Sequence, residues 1–249
     1  MTAPYARRLF TDGSADPFVI AEIGVNHDGD PARALELVDH AVACGADAIK
    51  MQWFRAASLL SPAARLAEYQ VEAGETDPVA MLERLELDCE AMALIIERAH
   101  ERGLRAITTV FTPEDVGPAA ELAWDGFKTA SPDIINRPLI AALLATERPL
   151  IVSTGAATIN EVQRAVTWIA GANAALMHCV SAYPTPADHA NLRGIEPLLA
   201  MSRLPCGYSD HTQSVHTGAS AVAIGATLLE KHLTWNTNAP GPDHAASLA

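Results

Sequence analysis

Lysine is nearly missing from this sequence: of 17 basic residues only Lys50, Lys128 and Lys231 are lysines. Basic charge is itself scarce. Asp and Glu number 30, and the resulting net charge of −13 excludes a general nucleic-acid or anionic-membrane surface. Cysteine is sparse too. Cys44, Cys89, Cys179 and Cys206 form no CxxC pair, so they read as reduced thiols rather than a zinc site or disulfide frame. No apolar run reaches the roughly 20 residues that span a bilayer. The opening MTAPYARRLF has two arginines with no apolar stretch behind them, so no signal peptide is expected and the expected location is the cytoplasm. A GxGxxG turn is absent as well: the first strand-like run leads into GVNHDGD, which argues against a doubly wound dinucleotide fold.

What is present suits one domain over residues 1–249, with 49% hydrophobic residues to bury. FVIAEIG (18–24) is a continuous apolar run, the pattern of a strand buried on both faces. A helix follows from Pro31 to Cys44, then ADAIKMQ (46–52), a long loop, and a helix from about Glu86 to Arg102. RAITTV (105–110), a short helix from Pro113, GFKTA (126–130), a helix from about Arg137, PLIVST (149–154) and a helix over 159–170 continue the alternation. AALMHCV (174–180), a helix near 192–200, CGYS (206–209), a helix near 215–224 and TLLEKH (227–232) complete it. Eight strands in strict βα order predict a closed (β/α)8 TIM barrel. The residues after His232 show no helical periodicity. The eighth helix is therefore expected to be missing or supplied by another chain, which would bare an apolar strip and favour a homo-oligomer such as a dimer.

Barrel enzymes keep their chemistry at the carboxyl ends of the strands. Polar residues collect there: Glu22, Asn26 and His27; Lys50 and Gln52; Thr108 and Thr109; Lys128, Ser131 and Asp133; Ser153; His178, Ser181 and Tyr183; Ser209 and His211; Glu230 and His232. Each lysine ends a strand-like run, where a compact ammonium can meet a phosphate or form a Schiff base. Lys50 and Lys128 with Ser131, Ser153 and Ser209 suit a phosphorylated substrate. His211 and His232, on neighbouring strands, can converge on a divalent metal.

Seven strings carry a resemblance: AEIGVNHDGD (21–30), GADAIKMQWF (45–54), IVSTGAAT (151–158), HCVSAYPTP (178–186), GYSDHT (207–212), EKHLT (230–234) and PGPDH (240–244). Together, in this order, they resemble the N-acetylneuraminate (sialic acid) synthase family. The resemblance implies a TIM barrel that condenses phosphoenolpyruvate with an amino-sugar aldehyde, using Mn2+ or Mg2+, to give a 2-keto-3-deoxy acid and phosphate. It assigns Lys50, Lys128, Ser131, Ser153, Ser181 and Ser209, with Thr108 or Thr109, to phosphoenolpyruvate, and His211 and His232 to the metal. Glu22, Gln52, Tyr183 and Asp243 would face the acceptor. Glu22, Asp133 and Lys50 would be the catalytic groups, Asp133 or Glu22 serving as base for water.

Two departures stand out. Ser181 replaces an asparagine of the bacterial synthases, and Asp133 replaces a glutamate. Most members also carry an antifreeze-like domain beyond the barrel. The present sequence stops soon after PGPDH, from which an acceptor other than free N-acetylmannosamine is expected. Two rivals remain at this point: a metal-free aldolase using Lys50 or Lys128 as a Schiff base, and a non-catalytic barrel partner subunit.

Overall fold

A computed structural model describes residues 16–60 and 64–249. Eight parallel strands close a barrel in sequence order: β1 (Phe18–Glu22), β2 (Ala48–Trp53), β3 (Arg105–Val110), β4 (Gly126–Thr129), β5 (Leu150–Ser153), β6 (Ala174–Cys179), β7 (Cys206–Asp210) and β8 (Leu228–His232). β8 closes on β1 with Phe18 opposite Leu228 and Glu22 opposite His232. Around them lie α1 (Pro31–Ala43), α2 (Ala56–Leu59), α3 (Glu68–Glu72), α4 (Pro78–Leu85), α5 (Cys89–Glu101), α6 (Pro113–Ala120), α7 (Arg137–Leu144), α8 (Ile159–Trp168), α9 (Ile195–Ser202) and α10 (Thr217–Ala223). Among the described residues no helix is long and apolar enough to cross a membrane.

Local chemistry sets the helix starts. Asp30, Asp77 and Thr112 each accept a backbone N–H of the first turn, and each is followed by a proline whose fixed φ suits that turn. Asp77-Pro78 opens α4 inside the segment read as a loop from sequence. Helices α2, α3 and α4 occupy that segment, and they are only four to eight residues long. Short helices of this kind show too little periodicity to separate from a loop.

Side chains alternate across each strand, so every second residue points into the barrel. Ile20, Ala48, Ile107, Ile151, Ala175, Met177 and Leu228 fill the interior. Gly207 belongs to this layer because space runs out: a Cβ there would lie 2.7 Å from Leu228 Cβ and 2.9 Å from Met177 Sδ. A larger apolar layer packs between strands and helices. A third, separate cluster of Val25, Phe54, Met81 and Leu85, with Leu59, Leu66, Leu82 and Phe111 against it, sits above the carboxyl ends of β1 to β3.

No α-helix follows β8 among the described residues, as the sequence pattern predicts. Residues 233–249 instead fold back, with Leu233 bridging Leu248. Asn26 Nδ2 donates to Leu233 O at 2.9 Å and to Ser247 Oγ at 2.8 Å, fastening this segment to the turn after β1. His244 and Asp28 meet at 2.9 Å and add a second tie. The outcome is that Pro242 and Asp243 stand at the barrel mouth.

Candidate active site at the barrel mouth

One step above the apolar interior, the inward positions become polar on every strand. They are Glu22, Lys50, Thr109, Lys128, Ser153, Ser209, Glu230 and His232, with Cys179 as the thiol among them. They floor a cavity of about 290 Å³. Two ion pairs cross this floor. Lys50 meets Glu22 and donates to Thr109 Oγ1 at 3.1 Å. Lys128 Nζ donates to Glu230 Oε1 at 3.0 Å, and Ser209 Oγ donates to the same oxygen at 2.8 Å.

The two carboxylates respond differently. Burial pushes Glu22 up to about 7, against the opposing pull of Lys50. Burial acts on Glu230 in the same direction, but Lys128, Lys50 and the Ser209 hydrogen bond outweigh it and hold the group near 2. Glu22 can therefore carry or release a proton near neutrality while Glu230 stays ionised, the separation that acid–base sites exploit. On Lys50 burial works against the charge, and the facing Glu22 and Glu230 still raise its pKa.

His211 and His232 lie beside this floor, their ring centroids 5.7 Å apart. His211 Nδ1 is 2.7 Å from Val180 O. A carbonyl only accepts, so Nδ1 carries the hydrogen and Nε2 presents a lone pair. Ser209 Oγ is 3.2 Å from that Nε2, but its single hydrogen goes to Glu230. His232 Nδ1 is buried without a hydrogen-bond partner and lies 3.7 Å from Asp243 Oδ2. Burial depresses both imidazoles, His211 to about 4, so both are neutral at pH 7. Burial also raises the Asp243 carboxyl to about 7. Two neutral rings with unsatisfied lone pairs are what a divalent cation uses. Among the described residues no group of three or more His, Cys, Asp or Glu side chains is placed to hold a metal ion.

The other sequence-derived residues divide. Gln52, Ser131, Ser181 and Tyr183 line the cavity. Gln52 Nε2 is oriented by Gly24 O at 3.0 Å, and Tyr183 stacks on His211 with centroids 4.2 Å apart. Ser153 Oγ is buried without a partner, and Ser131 Oγ is 3.1 Å from Cys179 Sγ. Gly155 lets these two approach, since a Cβ there would be 2.5 Å from that sulfur.

Strand parity separates the threonines: Thr109 lines the cavity, and Thr108 points to the other face, donating to Met51 O at 3.3 Å. Asp133 does not line the cavity. It sits on the 3-10 turn 131–135, accepting from Asn136 Nδ2 at 3.4 Å, with burial raising its carboxyl. The sequence places Glu230 at a strand end on one face with His232 but assigns it no role; the structure puts it in the floor. Sequence reasoning overlooked Tyr69 and Gln70 of α3 and the wall of Val25, Met81, Leu82, Leu85 and Phe111.

Residues 37–249 match the NeuB family. The chain belongs to that family. The N,N'-diacetyllegionaminic acid synthase of Campylobacter jejuni is 38% identical over 92% of this chain and 71% of its own length. The N-acetylneuraminate-9-phosphate synthase of Homo sapiens is 30% identical, over 93% of this chain and 66% of its own. The crystal structure of an N-acetylneuraminic acid synthetase from Leptospira borgpetersenii superposes with a TM-score of 0.85 at 31% identity, covering 94% of this chain and 78% of that one. As a NeuB-family member this chain is a phosphoenolpyruvate-using condensing synthase on a TIM barrel, as its motifs imply.

Proposed function

We propose that this cavity joins phosphoenolpyruvate to an amino-sugar aldehyde, giving a 2-keto-3-deoxy acid and inorganic phosphate. The observation that carries the reading is the polar floor. Two buried ammonium groups stand among hydroxyls in an otherwise acidic protein, an arrangement suited to a small, multiply charged anion. Lys50, Lys128, Thr109, Ser131, Ser153, Ser181 and Ser209 would hold its phosphate and carboxylate. The unpartnered Ser153 hydroxyl has a hydrogen to give.

Gln52, Tyr183 and Asp243 would orient the acceptor aldehyde over carbon 3 of the enolpyruvate, supplying the advantage of proximity. Carbon 3 attacks the carbonyl carbon, and water adds at carbon 2 with Glu22 taking one of its protons and passing it to the former carbonyl oxygen. Phosphate departs with its bridging oxygen and the second water proton, leaving the 2-keto group. Glu22 is preferred to Asp133 as base because it is in the floor of the cavity. His211 and His232 would hold Mn2+ or Mg2+, which supplies Lewis-acid polarisation of the acceptor carbonyl. The Schiff-base alternative is disfavoured because both candidate ammonium groups are held in ion pairs, Lys50 with Glu22 and Lys128 with Glu230, which favour the charged form over the free amine such chemistry needs.

The deciding experiment is phosphate release from phosphoenolpyruvate across a panel of aldoses, with and without EDTA. Metal-dependent release supports the reading. Borohydride trapping of a keto substrate on a lysine, with release unaffected by EDTA, would overturn it. A cytoplasmic location fits these substrates. Outward-facing Val19 and Leu229 on β1 and β8 are half-buried, and we assign this face to a second copy of the chain. Light scattering should show a dimer; a monomer at micromolar concentration would refute that assignment.

A further inference from the structure

Lys50 and Lys128 belong to the floor, but the third lysine of the chain lies elsewhere. Alternation along β8 turns Glu230 and His232 into the barrel and Lys231 out of it, on the face that carries Leu229. On β7, Ser209 and His211 line the cavity, and Asp210 between them faces outward with Tyr208. Asp210 and Lys231 are register partners. They sit on the outside of a seam whose inside carries Ser209, Glu230 and the two histidines.

The contacts of this outer pair converge on one residue. Asp210 Oδ1 accepts the Thr212 N–H at 2.8 Å, and Lys231 Nζ donates to the Thr212 carbonyl. Both backbone groups of the residue after His211 are thus held. Tyr208 Oη donates to the same Oδ1 at 3.2 Å, and Thr217 Oγ1, in the first turn of α10, donates to Oδ2. Lys231 Nζ lies 3.6 Å from Oδ1 and supplies the counter-charge. Both side chains are largely buried, so salt and water screen the pair little.

The ladder shows what the pair is for. Paired positions of β7 and β8 run from Gly207–Leu228 to Asp210–Lys231 and stop, one residue short of both histidines. His211 is fixed from the β6 side, by Val180 O on its ring and by the Thr185 N–H on its carbonyl. His232 is fixed from the β1 side, opposite Glu22. The two rings, 5.7 Å apart, are therefore braced against different neighbours. Lys231 to Thr212 joins the two halves across the seam.

We propose that Asp210 and Lys231 are positioning residues, an outer clamp on the β7–β8 seam that holds His211 where it and His232 share one divalent cation. The proposal rests on the metal reading of these histidines and adds what sets the affinity of their site. Ser209 and Glu230, one step further down, are paired within the ladder and keep their places without the clamp. Losing the clamp should weaken the metal and spare the anion-binding floor.

Two variants test this. Lys231→Met removes the donor to Thr212 but leaves Asp210 buried without its cation, which costs stability. The double variant Asp210→Asn, Lys231→Met removes both charges together, and so separates stability from position. Mn2+ alone is titrated into the whole chain, with the free ion followed by electron paramagnetic resonance. Phosphoenolpyruvate is titrated separately, without metal, by calorimetry. Both variants should bind Mn2+ at least ~10-fold more weakly, the effect of losing groups that orient a metal ligand. Phosphoenolpyruvate affinity should stay within about twofold, as for independent sites. Parent-like Mn2+ affinity in the double variant overturns the clamp alone, and so does an equal loss of both ligands there. A parent chain that binds phosphoenolpyruvate but no Mn2+ overturns the metal reading and the clamp together.

Discussion

Ser209 Oγ stands 2.8 Å from Glu230 Oε1 and 3.2 Å from His211 Nε2, with one hydrogen to share between two acceptors. Glu230, ionised and already gripping Lys128, takes it. The serine therefore leaves His211 with an open lone pair. A single hydroxyl thus links the anion-binding floor to the imidazole pair.

Glu230→Gln should expose how the floor is balanced. It leaves Lys128 buried without a counter-charge and should cost about 3 kcal/mol of stability in the ligand-free protein. Phosphoenolpyruvate brings negative charge to the same ammonium. Its addition should raise the melting temperature more in the variant than in the parent, as thermal shift measurements would show. Equal gains would contradict the pairing.

His232→Ala removes one of two imidazoles with unsatisfied nitrogens. Manganese retained after dialysis, measured by atomic emission, should fall by ~10-fold or more, with loss of metal-dependent phosphate release. Unchanged metal content and turnover would rule out the assignment.

The two threonines of β3 offer an internal control. Thr109→Val removes an inward hydroxyl bonded to Lys50 and should raise the KM for phosphoenolpyruvate by ~10-fold, the value of one charge-assisted hydrogen bond. Thr108→Val alters a side chain on the opposite face and should leave that KM within about twofold. Steady-state kinetics on both variants checks the parity.

His27 makes a stability prediction away from the catalytic floor. Burial lowers it to about 4, against the opposing influence of Asp28 and Asp30 and with a small contribution from Arg33. The folded protein binds this proton more weakly than the unfolded chain does. Stability is therefore complete above about pH 6.5 and declines as pH falls toward 4, by at most ~3 kcal/mol. His27→Asn keeps an acceptor for the Gly29 N–H but cannot be protonated. Urea unfolding at pH 7, 5.5 and 4 should show a shallower decline in the variant, and parallel curves would disprove the linkage.

Much of this was legible in the residues because of one physical regularity. Strands buried on both faces must be continuous apolar runs, so polar groups at their ends stand out, and alternation then assigns each to a face. Lys50, Lys128, Ser209, His211 and His232 were found in this way. The wall was not, because its α4 residues lie on an eight-residue helix inside an irregular segment, where periodicity is too brief to read. Asp77-Pro78 was the one local signal there. Asp133 was gathered with the strand-end residues and owed only its role to the resemblance; the 3-10 turn carrying it places it off the cavity lining.

The closure of β8 on β1 also has a consequence in time. The strand that meets Phe18–Glu22 runs from Leu228 to His232, and Asp243 follows it still later. At ~5–20 residues per second of synthesis, β1 waits on the order of ten to forty seconds for its neighbour. Glu22 stays without His232 beside it for that whole interval. A site that needs Glu22, His232 and Asp243 together cannot be assembled until residue 243 has been made.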